Sequence, residues 1–199
     1  MKRLLPLLLC AALLLLSGCG TRDSGAGPAP EPETAPAEEA ADAGTGTTLA
    51  QFSAGTLDGE TFTQADIQSK DVTVLNFWAL SCRPCIAELP DLADLAAALP
   101  ENVQLVTVCL DGYGSEDTVK EVLEEAGFTG VTLISGDGDL AALAGSLIYT
   151  PTTVFVDSQG AQVGDPLVGA SEDLAERYLT AINAVLARSG KAEISLDEP

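Results

Sequence analysis

Two cysteines, Cys82 and Cys85, stand three positions apart behind an apolar run that contains the only tryptophan of the chain. Such a pair can bind a metal, form a structural disulfide or exchange electrons with other thiols. Structural zinc usually takes four Cys or His ligands, whereas this chain has no histidine and a single CxxC motif. A disulfide that closes a loop over two intervening residues stabilises little, because the stabilisation grows with loop length. We therefore favour redox exchange and expect neither a metal nor a cofactor.

The elements around the motif would give the two thiols different surroundings. The apolar segment Val72–Ala79 predicts a strand buried on both faces, and a helical spacing of apolar residues begins at Pro84. Cys82 would then lie at the helix N-terminus, where free N–H groups and the helix dipole stabilise a thiolate. Arg83 adds a positive charge, and Pro84 suits the first turn because it has no N–H. Cys85, one turn further, is expected to be more buried.

The rest of the folded part predicts alternating strands and helices. An Asp58-Gly59 pair predicts a tight hairpin ahead of them. We expect strands near 72–79, 103–110, 131–134, 152–156 and 161–168, and helices near 84–99, 115–126, 140–147 and 171–187. The last helix would have Ser171 as its N-cap, with Glu172 and Asp173 in its first turn. This order predicts an α/β fold with a mixed sheet, parallel first and antiparallel at the end.

The N-terminus is typical of an exported protein. Lys2 and Arg3 precede an apolar run from Leu4 to Leu16, which is shorter than the roughly 20 residues of a membrane-spanning helix. The run ends in Leu16-Ser17-Gly18-Cys19, which resembles the lipobox of bacterial lipoproteins. That resemblance implies a signal peptide over 1–18 and acylation of Cys19 at the extracytoplasmic face of the bacterial cell membrane. An uncleaved signal anchor with a chance cysteine is the alternative.

Composition divides the remaining chain into three regions. Residues 19–48 predict a disordered acidic and Pro-rich tether, because they contain too few apolar side chains to fold. Residues 49–188 have the length of one domain, and residues 189–199 predict a polar tail. The formal net charge of −21 argues against binding to nucleic acid or to anionic lipid headgroups. Attachment to the membrane would therefore depend on the lipid.

The motif around the cysteines resembles that of a known family. Residues 76–85 (NFWALSCRPC), followed by Glu88-Leu89-Pro90, are similar to thioredoxin-fold proteins. Among these, the motif resembles the membrane-tethered thiol-disulfide oxidoreductases of the TlpA/ResA type, and the resemblance extends roughly from Gln51 to Leu186. It implies a thioredoxin fold, that is, an α/β domain whose mixed central sheet is flanked by helices on both faces. It also implies an N-terminal β-hairpin extension.

The resemblance further implies roles for single residues. Cys82 would attack a substrate disulfide, and Cys85 would resolve the mixed disulfide by forming the redox disulfide with Cys82. Thr150-Pro151 occupies the place of the family's cis-proline loop, which faces the disulfide, excludes metals and lets the Thr150 backbone pair with a substrate peptide. An ordinary proline at a strand entry is the alternative for Pro151. The residues assigned to substrate binding are Trp78, Arg83, Pro84, Thr150 and Pro151.

The same resemblance also suggests roles for three further residues near the motif. In ResA-like proteins a glutamate at the position of Glu88 tunes the thiol titration, so Glu88 would accept the proton of Cys85. The alternative is an acid that complements the helix dipole. Asn76 stands where cytosolic thioredoxins have a buried aspartate, which removes one candidate base. Pro90 matches a helix-kinking proline and is structural.

Two positions depart from the family pattern. Ser81 precedes Cys82 where the family usually has tryptophan, and this difference alters the predicted docking surface. Cys109 is an additional cysteine in the apolar segment VTVCL, which indicates an inert core thiol. A peroxidatic or sensing role for Cys109 is the alternative.

These observations predict a protein-disulfide reductase. Its partners would be exported disulfide-containing proteins, such as apocytochrome c or methionine sulfoxide reductase, and a membrane thiol shuttle of the CcdA/DsbD type would donate electrons. A thiol peroxidase of the peroxiredoxin type is a second hypothesis, although Ala79 stands three residues ahead of Cys82 where such enzymes typically have threonine. A non-enzymatic thioredoxin-fold lipoprotein that binds a partner is a third.

Overall fold

The computed structural model describes residues 46–196. The predicted signal peptide, the predicted acylation site Cys19 and all but the end of the predicted tether lie outside the described residues. Within that range no helix has the length and apolar character that crossing a membrane requires.

A small hairpin comes first, as the Asp-Gly pair predicts. Strands β1 (Ser53–Gly55) and β2 (Thr61–Thr63) pair antiparallel. Gly59 adopts φ +82° in the connecting turn, a conformation that glycine reaches without steric cost. The N-terminal β-hairpin extension is therefore confirmed.

Five strands form the central sheet. They are β3 (Val72–Trp78), β4 (Val103–Cys109), β5 (Thr132–Leu133), β6 (Thr152–Asp157) and β7 (Leu167–Val168). Their order across the sheet is β5-β4-β3-β6-β7. β3 pairs parallel with β4, and β4 with β5, whereas β6 runs antiparallel to both β3 and β7. The predicted mixed sheet is confirmed, with the buried strand β3 at its centre.

Five helices accompany the strands. They are α1 (Gln64–Gln68), α2 (Arg83–Ala98), α3 (Glu116–Ala126), α4 (Gly138–Ser146) and α5 (Leu174–Arg188). Side chains of α2, α3 and α5 belong to one buried cluster, and those of α1, α4 and the hairpin belong to the other. The sheet is therefore covered on both faces, as predicted.

The helices differ from the sequence prediction in one missed helix and one shifted helix start. α1 was not predicted, although Thr63 and Asp66 form a complete capping box at its start. α5 begins at Leu174, and its N-cap is Asp173 rather than Ser171. The Ser171 hydroxyl instead accepts the N–H of Asp173 at 3.3 Å in the preceding turn. The prediction of Ser171 as the N-cap is therefore wrong, because its side chain caps that turn rather than the helix.

The residues after α5 fold back onto the domain. The side-chain amide of Asn183 donates to the carbonyl of Ile194 at 3.0 Å and accepts its N–H at 2.9 Å. Lys191 Nζ lies 3.0 Å from a carboxylate oxygen of Asp71. Ile194 and Leu196 pack against the larger core cluster. The described part of the predicted polar tail is thus docked rather than free.

Candidate active site

The two cysteines of the motif form a disulfide at the start of α2. Their sulfurs are 2.06 Å apart. Cys82 is the N-cap of α2, and its Sγ accepts the N–H of Cys85 at 3.3 Å. Cys82 is half-buried, whereas Cys85 is 1% exposed. The predicted asymmetry between the two sulfurs is present, and only Cys82 is open to an incoming group.

The helix terminus supplies positive electrostatic potential at Cys82. Arg83 and Pro84 open α2, and both are exposed beside the disulfide. The N–H groups of a first helical turn have no partners within the helix and favour a negative charge. A thiolate that forms at Cys82 on reduction is therefore stabilised where it forms.

The peptide bond between Thr150 and Pro151 is cis, as the resemblance implies. The Thr150 carbonyl oxygen lies 3.6 Å from Cys82 Sγ, so this loop faces the disulfide. The Thr152 hydroxyl donates to the Tyr149 carbonyl at 2.8 Å. The Gly169 N–H donates to the Pro151 carbonyl, also at 2.8 Å. These bonds tie the loop to β6 and to the end of β7.

Large apolar side chains are exposed beside the cis-proline loop. Ile148, Tyr149 and Val168 are 83%, 68% and 52% exposed. Val168 is paired with Thr152 across β6 and β7, so it lies beside the strand start that follows Pro151. Sequence reasoning missed these residues. The sequence feature that could have revealed them is the pair of bulky apolar residues directly ahead of Thr150-Pro151, because a solvent-facing loop is usually polar.

Trp78 does not lie on this surface. Its side chain is completely buried, and it stands opposite Cys109 in the β3–β4 register. The indole N–H has no hydrogen-bond partner among the described residues. The prediction that Trp78 binds substrate is therefore wrong as a direct contact, because the side chain offers no surface to a partner.

A buried polar cluster lies behind the disulfide. Glu88 follows Cys85 by one helical turn and is 6% exposed. Asn76 Nδ2 lies 3.2 Å from Glu88 Oε1, 3.0 Å from Thr153 Oγ1 and 3.2 Å from the Tyr178 hydroxyl. The Thr153 and Tyr178 hydroxyls also bond to each other. Thr153 and Tyr178 had no local sequence signal, because they come from distant parts of the chain.

Burial dominates the titration of this cluster. Desolvation raises the pKa of Glu88, opposed by the hydrogen bond from Asn76; Asp91 adds to the rise and Arg177 opposes it. Desolvation likewise raises the pKa of Tyr178 to about 12. Glu88 therefore ionises at a higher pH than an exposed glutamate does. It lies on the same face of α2 as Cys85.

Cys109 is a free, buried thiol at the end of β4. Burial, with a hydrogen bond to Asp111, raises its pKa to about 12. A thiol with so little thiolate is a poor nucleophile, which agrees with the predicted inert core residue. Asp111 Oδ1 also accepts the N–H of Leu80 at 2.8 Å, so it holds the loop that carries Cys82. In the described part of the chain, no three His, Cys, Asp or Glu residues are grouped to hold a metal.

The chain shares this architecture with known proteins. A model of the AhpC/TSA family matches residues 45–161. The thiol-disulfide oxidoreductase ResA of Oceanobacillus iheyensis is 34% identical over 128 residues, which are 63% of this chain and 64% of ResA. The chain thus spans slightly less than two thirds of that relative.

Two solved structures extend the comparison. A secreted disulfide oxidoreductase of Mycobacterium tuberculosis, homologous to E. coli DsbE, is 30% identical with a TM-score of 0.54. The match covers 66% of this chain and 97% of that one. The exposed lipoprotein thioredoxin of Streptococcus pneumoniae is 27% identical with a TM-score of 0.52, over 65% of this chain and 96% of that one.

The predicted resemblance to ResA-like proteins is confirmed by these matches. The family model covers more than half of the chain, including the hairpin, the cysteine pair and the cis-proline loop. The chain therefore belongs to the AhpC/TSA family of thioredoxin-like fold, and its relatives include ResA-type thiol-disulfide oxidoreductases.

Proposed function

We propose that this protein is an extracytoplasmic thiol-disulfide oxidoreductase that reduces disulfides in exported proteins. One observation carries the proposal. A half-exposed sulfur, Cys82 Sγ, lies at the N-terminus of α2, is bonded to the buried Cys85 and is 3.6 Å from the Thr150 carbonyl. That arrangement offers one sulfur to a partner and keeps the second within reach of the first.

The reaction begins with the reduced pair. Cys82 loses its proton, and its thiolate attacks one sulfur of the client disulfide, forming a bond to that sulfur and releasing the other as a thiolate, which takes a proton. Cys85 then loses its proton and attacks Cys82 Sγ, so the mixed disulfide breaks and the second client thiolate leaves and is protonated. The client gains two electrons and two protons, and the cysteine pair loses the same. The second step is fast because Cys85 is already in position.

Neighbouring groups serve these steps. Glu88 takes the proton of Cys85 when Cys85 becomes the nucleophile, since it is a carboxylate of raised pKa one helical turn away. The Thr150 backbone pairs with an extended client segment. Arg83 and Pro84 contribute exposed surface next to Cys82 in the chain. The buried Trp78 contributes indirectly, by supporting the end of β3.

The sequence supports the proposed cellular setting of the reaction. Acylation of Cys19 would hold the protein at the outer face of the cell membrane, where an oxidising environment makes an electron donor necessary. A membrane thiol shuttle of the CcdA/DsbD type fits that need. Apocytochrome c and methionine sulfoxide reductase are clients of the right chemistry. Nucleic acid is not a partner, because a formal charge of −21 repels it.

A trapping experiment tests the proposal. The Cys85→Ser variant cannot resolve a mixed disulfide, so clients should remain attached to Cys82 in cells and be identifiable by mass spectrometry. The Cys82→Ser, Cys85→Ser double variant should trap nothing. Adding Cys109→Ser to Cys85→Ser should leave the trapped set unchanged, because Cys109 is buried. An empty trap, or the same set in the double variant, would contradict the proposal.

The direction of electron flow has its own test. A reductase should have a reduction potential near or below about −200 mV, and a value far above it, toward the strong oxidants, would reverse the assignment. Peroxide consumption that depends on Cys82 would favour the thiol peroxidase instead.

A further inference from the structure

The Asn76 side chain points its nitrogen, and not its oxygen, into the buried cluster behind the disulfide. Three oxygens lie within 3.2 Å of Nδ2, one each from Glu88, Thr153 and Tyr178. The amide oxygen Oδ1 is buried and has no hydrogen-bond partner among the described residues. A buried polar atom without a partner is costly, so something must favour this orientation over the reverse.

The charge state of Glu88 distinguishes the two orientations. An N–H donates to an ionised carboxylate and stabilises it, whereas an amide oxygen in the same place would repel it. The nitrogen has two hydrogens, and Thr153 with Tyr178 can accept one of them while Glu88 accepts the other. The observed orientation therefore stabilises the ionised form of Glu88 more than the protonated form, because a charged acceptor makes the stronger hydrogen bond.

We infer that Asn76 is a positioning residue for the exchange reaction: it keeps Glu88 ionised at working pH, so that Glu88 can accept the Cys85 proton. Thr153 and Tyr178 occupy its second hydrogen and fix the amide. This inference rests on the proposed function. It adds a named residue that sets the pH range of the resolving step.

Within residues 46–196, no other group around Glu88 favours its ionised form as strongly as the Asn76 N–H does. On its own helix Asp91 opposes ionisation, and from α5 Arg177 favours it. Tyr178 is neutral across the working range, because burial raises its pKa to about 12. From the neighbouring strands β3 and β6, in the part of the chain that the structure describes, only Asn76 and Thr153 form hydrogen bonds within this cluster. Desolvation is the largest influence on Glu88, and the Asn76 N–H is the largest that opposes it.

The test follows the resolving step over a range of pH. Reduced full-length protein is mixed with oxidised glutathione, and Trp78 fluorescence is recorded by stopped flow. The phase whose rate does not depend on glutathione disulfide concentration reports attack by Cys85. We expect Asn76→Leu, which has nearly the same shape without the amide, to raise the midpoint of the pH–rate profile by about one pH unit. The high-pH plateau should remain.

Three comparisons make the result specific. Asn102→Leu removes a similar amide, which donates to Asp71 at 2.9 Å far from the disulfide, and it should leave the midpoint unchanged. In a Glu88→Gln background, Asn76→Leu should have no further effect on the midpoint. Asn76→Ala should shift it in the same direction as Asn76→Leu.

Each contrary result has a distinct meaning. A lower plateau with an unchanged midpoint would show that Asn76 is only structural, and this inference would be wrong. A shift that persists in the Glu88→Gln background would show that Asn76 does not act through Glu88, which also overturns it. Neither result touches the proposed exchange reaction. The failure of unaltered protein to react with oxidised glutathione through Cys82 would instead overturn the proposed function.

Discussion

Glu88 lowers the stability of the fold at neutral pH. Glu88 is 6% exposed, and desolvation raises the pKa of its carboxyl above that of the unfolded chain. Between the unfolded and the folded pKa the native state binds more protons than the unfolded state, so the free energy of unfolding falls as pH rises. Above the folded pKa the cost is complete. Each unit by which the pKa is raised corresponds to about 1.4 kcal/mol.

Replacing this acid should therefore stabilise the protein while slowing its chemistry. We expect Glu88→Gln to have a larger free energy of unfolding than unaltered protein at pH 8, and the difference should shrink as pH falls toward the unfolded pKa. Urea titrations of the oxidised proteins at several pH values measure it. Glu116→Gln is the control, because backbone N–H groups lower the pKa of this exposed acid. Its stability relative to unaltered protein should not increase as pH rises. The account would be contradicted if the stability of Glu88→Gln relative to unaltered protein were lower at pH 8 than at pH 5.

The residues of the site differ in how far the sequence could predict them. Cys82, Cys85 and Glu88 share one short motif, and the cis-proline lies in a local Tyr-Thr-Pro-Thr pattern. Thr153 and Tyr178 are 77 and 102 positions from Asn76 and carry no local pattern. Their contribution depends on tertiary packing. The same holds for the burial of Trp78, since a tryptophan at the end of a strand can face either the core or a partner.

At the scale of elements, α4 anchors the chain that leads into the hairpin. Asp137 is the N-cap of α4 but makes no capping bond from its side chain. Its Oδ1 accepts the Ser53 N–H at 2.6 Å instead. Asp139 Oδ2 accepts the N–H groups of Ala50 and Gln51 at 2.9 and 2.7 Å. Two acids at a helix N-terminus thus fasten the family's N-terminal extension to the domain.

Loss of one anchor should loosen this extension without altering the redox pair. We expect Asp139→Ala to cost about 1–3 kcal/mol, because two backbone N–H groups lose a charged acceptor. Amide hydrogen exchange at Ala50 and Gln51 should accelerate, while exchange in β3 stays slow. Asp165→Ala, at an exposed acid elsewhere, serves as the control. Unchanged exchange at Ala50 and Gln51 would show that the carboxylate does not hold the segment.

The elements that the sequence predicted well were the long and strongly patterned ones. β3 and β4 have seven residues each and are largely apolar, and α2 has sixteen residues with helical spacing. α1 has five residues and was missed, because a single helical turn gives no periodicity. The start of α5 was placed at Ser171 because a serine ahead of two acids is a common N-terminal pattern, although here that serine caps a turn.

At the scale of the whole molecule, the sheet order brings the reactive parts together. β3 is the central strand and ends at the cysteine loop, while its neighbour β6 begins just after the cis-proline. Their antiparallel pairing sets Phe77 opposite Thr152, so the two loops meet at one edge of the sheet. β4, on the other side, supplies Asp111 through the turn that follows it, and this carboxylate holds Leu80. The fold thus exposes one sulfur and buries the other.

The difference between the two sulfurs is the central claim, and alkylation measures it directly. Reduced full-length protein is treated with a limiting amount of iodoacetamide at pH 7, and the modified peptides are quantified by mass spectrometry over time. We predict that Cys82 reacts at least about tenfold faster than Cys85, because it is more exposed and its thiolate is stabilised by the helix N-terminus. Equal rates, or faster modification of Cys85, would contradict the account.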